Sequence, residues 1–376
     1  MERQEVLARR IAAQQLDRRL GRATTAERPV TDADVLDLGV QDTGRDGASW
    51  ALANRGVGVR SPAELEESPD LALVWSLRGA PHYYRRSDLR AVLDATTPYS
   101  DADARKRTLD ASRPLTAAGI GMREGMGVVA ATMREVVTAP TPKGELSAAL
   151  TERLPPPYLR WCNPCQATHV YEQTFRLAAL AAGLELEPGT SPPVLRRIPG
   201  WRRLPALGDP ERAPVRLRLV DAYLRLCGPT TPAATATFLD TPVAVVREHW
   251  PAAAEEVDVA GTKAWALPDL PEPAETEGLV RLLGPFDLWL QARDRELVVP
   301  ERDRHQALWP TIGRPGAVLV GVDVVGTWRP RAAGKRLTVT VEVWERVAPA
   351  DRTRVEEEAE RLAGHRGVTL TEVVWS

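Results

Sequence analysis

The feature that most restricts the possible folds is a series of short helical segments with well-defined starts. The clearest of these segments lie after the middle of the chain. Residues 214–227 place apolar side chains on one helical face and end at a Gly-Pro pair. Thr231-Pro232 then starts a short helix, and Thr241-Pro242 starts another that runs to about residue 250. A proline in the first turn costs no hydrogen bond, so both starts are well specified. The pair indicates a helix-turn-helix arrangement, with residues 242–250 in the position of a recognition helix.

Weaker versions of this pattern occur earlier in the chain, and the C-terminal part is different. Residues 122–138 and a helix starting at Thr141-Pro142 form a second helical pair, while Ser61-Pro62 starts a helix that precedes a strand at 71–77. Residues 317–328 and 336–344 alternate apolar and polar side chains, as strands do. We therefore expect an α+β fold, mainly helical, with a β-rich C-terminal part. It would contain three tandem winged-helix units at residues 1–113, 114–204 and 205–376.

Composition narrows the class of protein further. A chain of 376 residues exceeds the size at which one hydrophobic core usually keeps growing, so several domains are expected. No apolar run has the length of a membrane span, and the N-terminus has no apolar stretch typical of a signal peptide. Three cysteines give no paired disulfide framework. We expect a monomeric cytoplasmic protein without membrane contact and without a cofactor.

A basic turn at residues 329–336 is the first candidate binding feature. The net charge is −2, so the molecule as a whole does not attract polyanions. A basic face is still possible, because the net charge does not show how the charges are distributed over the surface. Such a turn could lie along a phosphate backbone and fix its position without reading its sequence. The alternative is a solvated hairpin end whose charges prevent strand pairing with other chains. Its four cations are Arg329, Arg331, Lys335 and Arg336.

A second basic segment runs from residue 78 to residue 86. Aromatic rings there could stack on bases, and the arginines could hold phosphates. Half-buried residues of a sheet would give the same pattern, so that alternative stays open. The candidate binding residues of this segment are Arg78, His82, Tyr84, Arg85 and Arg86.

Cys162, Cys165 and His169 have the close spacing of three metal ligands. A structural zinc site normally has four ligands, and neither Glu172 nor Cys227 completes the set at a diagnostic spacing. Two buried thiols beside a hydrogen-bonded histidine would look the same. The sequence therefore favours no metal site, with these three residues as the candidates if there is one.

Several short motifs, spread over most of the chain, carry a family resemblance. Together they resemble a bacterial winged-helix family that includes alkylpurine DNA glycosylases, some of which unhook interstrand crosslinks. In chain order the motifs are Leu38-Gly39-Val40-Gln41-Asp42, Trp75 to His82, Gly228-Pro229-Thr230-Thr231-Pro232, Gly284 to Leu290, Arg293-Asp294-Arg295, Arg304-His305 and Val324 to Arg329.

The resemblance implies three winged helices around a concave face that binds double-stranded DNA. Active members are similar in carrying Gln-x-Gln or Gln-x-Asp near that face. Here Gln41-Asp42-Thr43 keeps the first residue of that motif, whereas Gly39-Val40-Gln41 keeps only a second polar residue. We take Gln41 as the residue that positions water and Asp42 as its electrostatic partner at a developing sugar cation.

Three functions remain open from the sequence. The first is a monofunctional DNA glycosylase that hydrolyses the N-glycosidic bond of alkylated or crosslinked purines. The second is a DNA-binding or regulatory protein without catalysis, which would bind in a strongly salt-dependent manner. The third is a scaffold that binds other proteins, because winged helices also do so.

Overall fold

The structure is a computed structural model that describes residues 1–18, 20, 28–201 and 207–376. Its helices lie mostly in the first two thirds of the chain, and several are only one turn long. They are α1 (Arg3–Ala13), α2 (Gly47–Ala53), α3 (Pro62–Glu66), α4 (Leu89–Thr96), α5 (Asp101–Arg107), α6 (Leu109–Ala117), α7 (Met122–Val136), α8 (Lys143–Arg153), α9 (Glu172–Ala178), α10 (Leu219–Cys227), α11 (Pro232–Leu239), α12 (Val243–Glu248), α13 (Leu288–Gln291), α14 (Arg295–Val298), α15 (His305–Leu308) and α16 (Pro349–His365).

The strands are short in the N-terminal half and longer near the C-terminus. They are β1 (Val40–Gln41), β2 (Leu71–Trp75), β3 (Pro81–Arg85), β4 (Thr141–Pro142), β5 (Leu159–Cys162), β6 (Ala167–Val170), β7 (Leu184–Leu186), β8 (Val194–Arg197), β9 (Glu255–Val259), β10 (Thr262–Ala266), β11 (Val280–Leu283), β12 (Gly316–Val320), β13 (Asp323–Ala333), β14 (Arg336–Val343) and β15 (Thr369–Trp375). This mixture confirms the α+β prediction.

Two larger sheets and two hairpins organise these strands. One sheet has the order β1-β3-β2-β7-β8-β4, and the other has the order β11-β12-β13-β14-β15. The first sheet joins β2 to β7 through the pair Leu73 and Leu186, so it draws strands from both sides of the predicted boundary at residue 113. The predicted boundary at residue 204 lies outside the described residues.

The helix starts read from the sequence are present in the third predicted unit. The Thr231 hydroxyl accepts a hydrogen bond from the Ala234 amide at 3.1 Å, which satisfies one free donor of α11. Helices α10, α11 and α12 follow one another, and the β9–β10 hairpin comes next. The predicted segment 214–227 forms α10 only from Leu219, after a 3-10 turn at Val215–Leu217.

The C-terminal sheet extends the predicted hairpin. Strand β13 continues to Ala333, and the chain turns at Gly334, whose φ of +60° favours glycine. Arg329 and Arg331 therefore lie on the strand, not in the turn. On the other strand, Leu337 and alternate residues after it are buried beneath α16.

The two ends of the chain pack together. Leu7 and Ile11 of α1 belong to one hydrophobic cluster with Leu283 and Trp289. The largest cluster runs from Ala33 to Leu288 and includes residues of all three predicted units. No helix among the described residues is long and apolar enough to cross a membrane.

Candidate active site

Gln41 is fixed by a close approach between β1 and the aromatic side chain of Tyr84. Gly39 precedes the strand with a φ of +82°, and a Cβ placed there would lie 2.4 Å from the Tyr84 ring. Only glycine fits this position. The Tyr84 hydroxyl donates a hydrogen bond to the Leu38 carbonyl at 3.1 Å, so one side chain contacts two successive residues of the backbone that leads into Gln41.

His82 and Tyr84 lie inside the fold, with only 2% and 1% of their surface exposed. The Ser76 hydroxyl is 3.0 Å from Nδ1 of His82 and 2.9 Å from the Tyr84 hydroxyl. Burial lowers the pKa of His82 to about 3, and the charge of Arg78 lowers it further in the same direction. The histidine is therefore neutral at pH 7. Neither side chain reaches the surface in this structure, so the predicted DNA contact of these two residues would require them to become exposed.

The Gln41 amide is held at both ends. Its Nε2 donates to the Thr43 hydroxyl at 2.9 Å, and its Oε1 accepts from Nη2 of Arg78 at 3.3 Å. The side chain is 8% exposed, and Thr43 is half-buried beside it. The amide is thus oriented before any ligand arrives, while its oxygen keeps a second lone pair for a further donor.

Asp42 points to the opposite side of the strand. Gln41 pairs with His82 and Val40 pairs with Tyr83, and successive side chains of a strand alternate between its two faces. The Asp42 carboxylate accepts a hydrogen bond at 3.3 Å from the Ala48 amide in α2. Burial raises the pKa of Asp42. The structure therefore does not bring the predicted catalytic pair together, and it places Thr43 beside Gln41 instead.

Arg78 is the cation nearest to the Gln41 amide. Its backbone has a φ of +57°, which is uncommon outside glycine. The guanidinium donates to the Phe238 carbonyl at 2.8 Å and to the Gln291 amide oxygen at 2.5 Å. Burial, followed by the charge of Arg293, lowers the pKa of Arg78 to about 10. Its acceptors are neutral oxygens, and no carboxylate of the described residues forms an ion pair with it.

Arg293 lies near Arg78, and Arg295 and Arg314 lie near Arg293. None of the three forms an ion pair with a carboxylate of the described residues. The Nε atom of Arg293 is buried without a hydrogen-bond partner, and burial lowers the pKa of its guanidinium. Burial also lowers the pKa of Arg295, and the charges of Arg293 and Arg314 add to that effect. Arg314 lies over the Phe286 ring at 5.5 Å. We call Arg78, Arg293, Arg295 and Arg314 the unpaired arginine cluster.

The predicted basic hairpin adjoins this cluster. Arg329 donates to the Gly313 carbonyl at 2.7 Å, directly before Arg314 in the chain. The other three predicted cations are exposed along the strands and at the turn, namely Arg331, Lys335 and Arg336. The hairpin cations and the cluster therefore meet at residues 313–314.

Arg85 and Arg86 have a structural role that the sequence did not reveal. Arg85 forms an ion pair with buried Asp37 and donates to the Ala33 carbonyl at 2.8 Å. Arg86 donates to Glu185 at 2.7 Å and to the Leu71 carbonyl at 2.8 Å. These donors already have partners within the protein, so a phosphate predicted to bind here would have to compete with those partners.

The sequence reasoning missed Thr43, which contacts Gln41, and the polar residues that adjoin Arg78 and Arg293. Gln291, Arg293 and Arg314 are more than 200 residues away from Gln41 in the chain. Thr43 is close to Gln41 in the sequence, but Asp42 was chosen as the catalytic partner instead. The motif Arg293-Asp294-Arg295 was part of the family resemblance, and it was the sequence signal that could have indicated these residues. That these arginines lack carboxylate partners became visible only in three dimensions.

The metal candidates lie elsewhere, on the β5–β6 hairpin. The ligand atoms of Cys162, Cys165 and His169 are all within 4.8 Å of one another. The hydrogen bond between the Cys162 thiol and His169 lowers the pKa of Cys162 to about 7. Cys227 is buried next to Gln14 and does not belong to the group.

Comparison with known proteins assigns the class. The fold is similar to that of Streptomyces sahachiroi DNA glycosylase AlkZ, with a TM-score of 0.70 and 21% identity over 100% of both chains. A comparison with curated protein sequences finds no significant match. The family model for DNA glycosylase AlkZ-like proteins matches residues 35–365, which is most of the chain. The chain belongs to the AlkZ-like DNA glycosylase family, which confirms the glycosylase family named from its motifs.

Proposed function

We propose that this protein is a monofunctional DNA glycosylase that hydrolyses the N-glycosidic bond of alkylated or crosslinked purines. The observation that carries the proposal is the oriented Gln41 amide, which lies beside Thr43 and the unpaired arginine cluster in a chain of this family. A neutral polar pair next to uncompensated positive charge suits a reaction on a polyanion.

The chemistry needs little from the protein because an N-alkylated purine is already cationic. Water attacks C1′ of the sugar as the C1′–N bond breaks, and the bonding electron pair neutralises the departing base. The proton of the water passes to solvent. Gln41 and Thr43 would hold that water, with the free lone pair of the Gln41 oxygen accepting one of its hydrogens. A dipole fixed in advance stabilises the positive sugar without reorganising during the reaction.

The unpaired arginine cluster and the hairpin would hold the duplex. Arg293 is half-buried and has no carboxylate partner among the described residues, so a phosphate oxygen would supply the anionic acceptor that its guanidinium lacks. Arg331 and Lys335 would extend the contact along the backbone. Moving the damaged nucleotide out of the stack costs a few kcal/mol, and less when the base is damaged.

The three tandem winged-helix units remain part of the proposal. The order α10, α11, α12 and then the β9–β10 hairpin supports the unit at 205–376. The order α6, α7, α8 and then the β5–β6 hairpin supports the unit at 114–204. A concave face between the units would bring Gln41 against the extruded base.

The test is release of an alkylated purine from duplex DNA by the full-length purified protein. Gln41→Ala should lower the single-turnover rate by about 100-fold or more, the usual effect of removing one oriented polar group. Gln306→Ala is the matched control, because Gln306 is an exposed glutamine away from the site, and it should keep the wild-type rate. Unchanged release by a folded Gln41→Ala variant would remove the site from the proposal.

One observation favours the alternative of a DNA-binding protein without catalysis. Both ends of the Gln41 amide are already hydrogen-bonded, and Thr43 stands where the active motif has a longer side chain. That alternative expects tight, salt-sensitive duplex binding together with inertness toward a panel of alkylated duplexes. Failure to bind any duplex at low salt would favour the protein scaffold instead.

A further inference from the structure

The β5–β6 hairpin exposes two cysteines that packing does not explain. Its base is anchored by Tyr158 and Val170, which are 5% and 2% exposed. At its tip Cys162 is half-buried and Cys165 is exposed, whereas Cys227 in α10 is 1% exposed. Free cysteine is among the residue types most often buried, so the burial of Cys227 is typical. The position of Cys162 and Cys165 at the hairpin tip needs an explanation other than packing.

The hairpin register brings three ligand atoms together. His169 pairs with Arg160, two residues before Cys162, so the histidine and the thiol are diagonal neighbours on one face. Cys165 lies in the turn, which closes through Gln166 with a φ of +51°. The ligand atoms lie within 4.8 Å of one another, and around a tetrahedral zinc ion such atoms are about 3.5–4 Å apart. A shift of about 1 Å or less would complete the geometry.

His169 is held in the tautomer that a metal requires. Its Nδ1 donates to the Val170 carbonyl at 2.7 Å, which leaves the lone pair on Nε2 free. A histidine that ligates zinc almost always donates its other ring nitrogen to a carbonyl or carboxylate in this way. The backbone of the hairpin therefore supplies the supporting contact that a zinc ligand needs.

We propose that Cys162, Cys165 and His169 form a zinc-binding site on the β5–β6 hairpin, with water as the fourth ligand. Thiolate and imidazole donors together suit Zn²⁺ better than Mg²⁺ or Ca²⁺, which prefer oxygen. Glu172 lies outside the group of close ligand atoms, and its Oε1 accepts from Lys143 and Arg176 at 2.7 and 2.6 Å, so we assign the fourth position to water.

The ion would also fix the start of α9, which follows the hairpin. Arg176 of α9 donates to the Gly79 carbonyl at 3.0 Å, next to Arg78. A Cβ at Gly79 would lie 2.4 Å from the Gln173 amide oxygen, so the helix packs directly against this turn. Zinc at the hairpin would therefore stabilise one wall of the candidate active site, although the site stands whether or not the protein is an enzyme.

The test uses full-length protein that has been reduced and freed of metal, titrated with Co²⁺ as a spectroscopic substitute for zinc. We expect a tetrahedral cobalt spectrum with a thiolate charge-transfer band that saturates at one equivalent and disappears when Zn²⁺ is added. Cys162→Ser and Cys165→Ser should each lose about half of the charge-transfer intensity. His169→Ala should weaken binding by more than the ~10- to 100-fold that loss of a supporting contact costs.

Cys227→Ala is the matched control, because it removes the third cysteine without touching the hairpin, and its cobalt spectrum should equal that of the wild type. Circular dichroism measures whether each variant is folded: the hairpin variants should fold because the hairpin tip is exposed, and the buried Cys227→Ala control is compared only if its spectrum equals that of the wild type. Absence of the band in the reduced wild type would overturn the proposal. A band that survives in the Cys162→Ser, Cys165→Ser double variant, or that is lost in Cys227→Ala, would overturn it equally.

Discussion

Two groups of arginines in this protein have the same side chains and opposite surroundings. Around buried Asp37, the guanidinium groups of Arg85, Arg216 and Arg225 all donate to one carboxylate. In the unpaired arginine cluster, Arg78 and its neighbours have only neutral acceptors or none among the described residues. The first group is internally compensated, and the second leaves positive charge that a polyanion can compensate.

This difference separates structural arginines from candidate DNA contacts better than position in the sequence does. Burying a charge without a partner is costly, so a fold keeps such groups where a ligand supplies the partner. The Asp37 group should therefore govern folding and leave DNA affinity unchanged. The unpaired cluster should do the reverse, and each prediction below tests one side of this contrast.

The largest effect is expected at the centre of the compensated group. Asp37→Ala leaves three arginines without their shared partner and should lower the free energy of unfolding by about 3 kcal/mol or more. Glu296→Ala is the control, since Glu296 and Arg302 form an exposed ion pair whose loss should cost at most about 1 kcal/mol. Urea unfolding measures both. Equal small losses in the two variants would mean that the Asp37 group is not a structural centre.

The hairpin cations should show the opposite behaviour. Arg331 and Lys335 are exposed, so replacing both with alanine should leave stability within about 0.5 kcal/mol of the wild type. Duplex affinity should fall, and the slope of log affinity against log salt should become shallower by about 2, because each phosphate contact contributes about 0.9. Fluorescence anisotropy at several salt concentrations measures the slope. An unchanged slope would identify the hairpin as a solvated turn.

Local pattern predicted more of the fold than of the site. The capped start at Thr231, the helix start at Pro242, the alternation in β13 and β14 and the α+β mixture depend on neighbouring residues, and all are present. The site depends on which face of β1 Gln41 occupies and on contacts to Gln291 and Arg293, which lie far along the chain. The residue types of segment 78–86 do not show which side chains are buried: His82 and Tyr84 lie in the core, and Arg85 and Arg86 form ion pairs with carboxylates.

A smaller effect on DNA affinity is expected inside the cluster itself. Arg293→Met removes a partly buried cation whose Nε has no partner, so the free energy of unfolding should stay equal or rise slightly. The salt slope of DNA binding should fall by about 1. Arg293→Met should therefore be stable and bind duplex DNA weakly, whereas Asp37→Ala should be unstable. A clear loss of stability in Arg293→Met would show that an internal partner compensates this arginine after all.

The smallest effect is expected at Asp42, which faces away from the cluster. Burial raises its pKa, so the folded protein holds the Asp42 proton more tightly than the unfolded chain, in which the carboxyl titrates near pH 3.9. Stability therefore decreases as pH rises from about 4 through the folded pKa, where the buried carboxylate becomes charged. Asp42→Asn keeps an oxygen acceptor for the Ala48 amide and should be slightly more stable than the wild type at pH 7, with no difference below about pH 4. Base release should stay at the wild-type rate, because in the proposed function Gln41 and Thr43 hold the water. A large loss of release in this well-folded variant would return Asp42 to the catalytic pair and place the sugar cation on its side of β1.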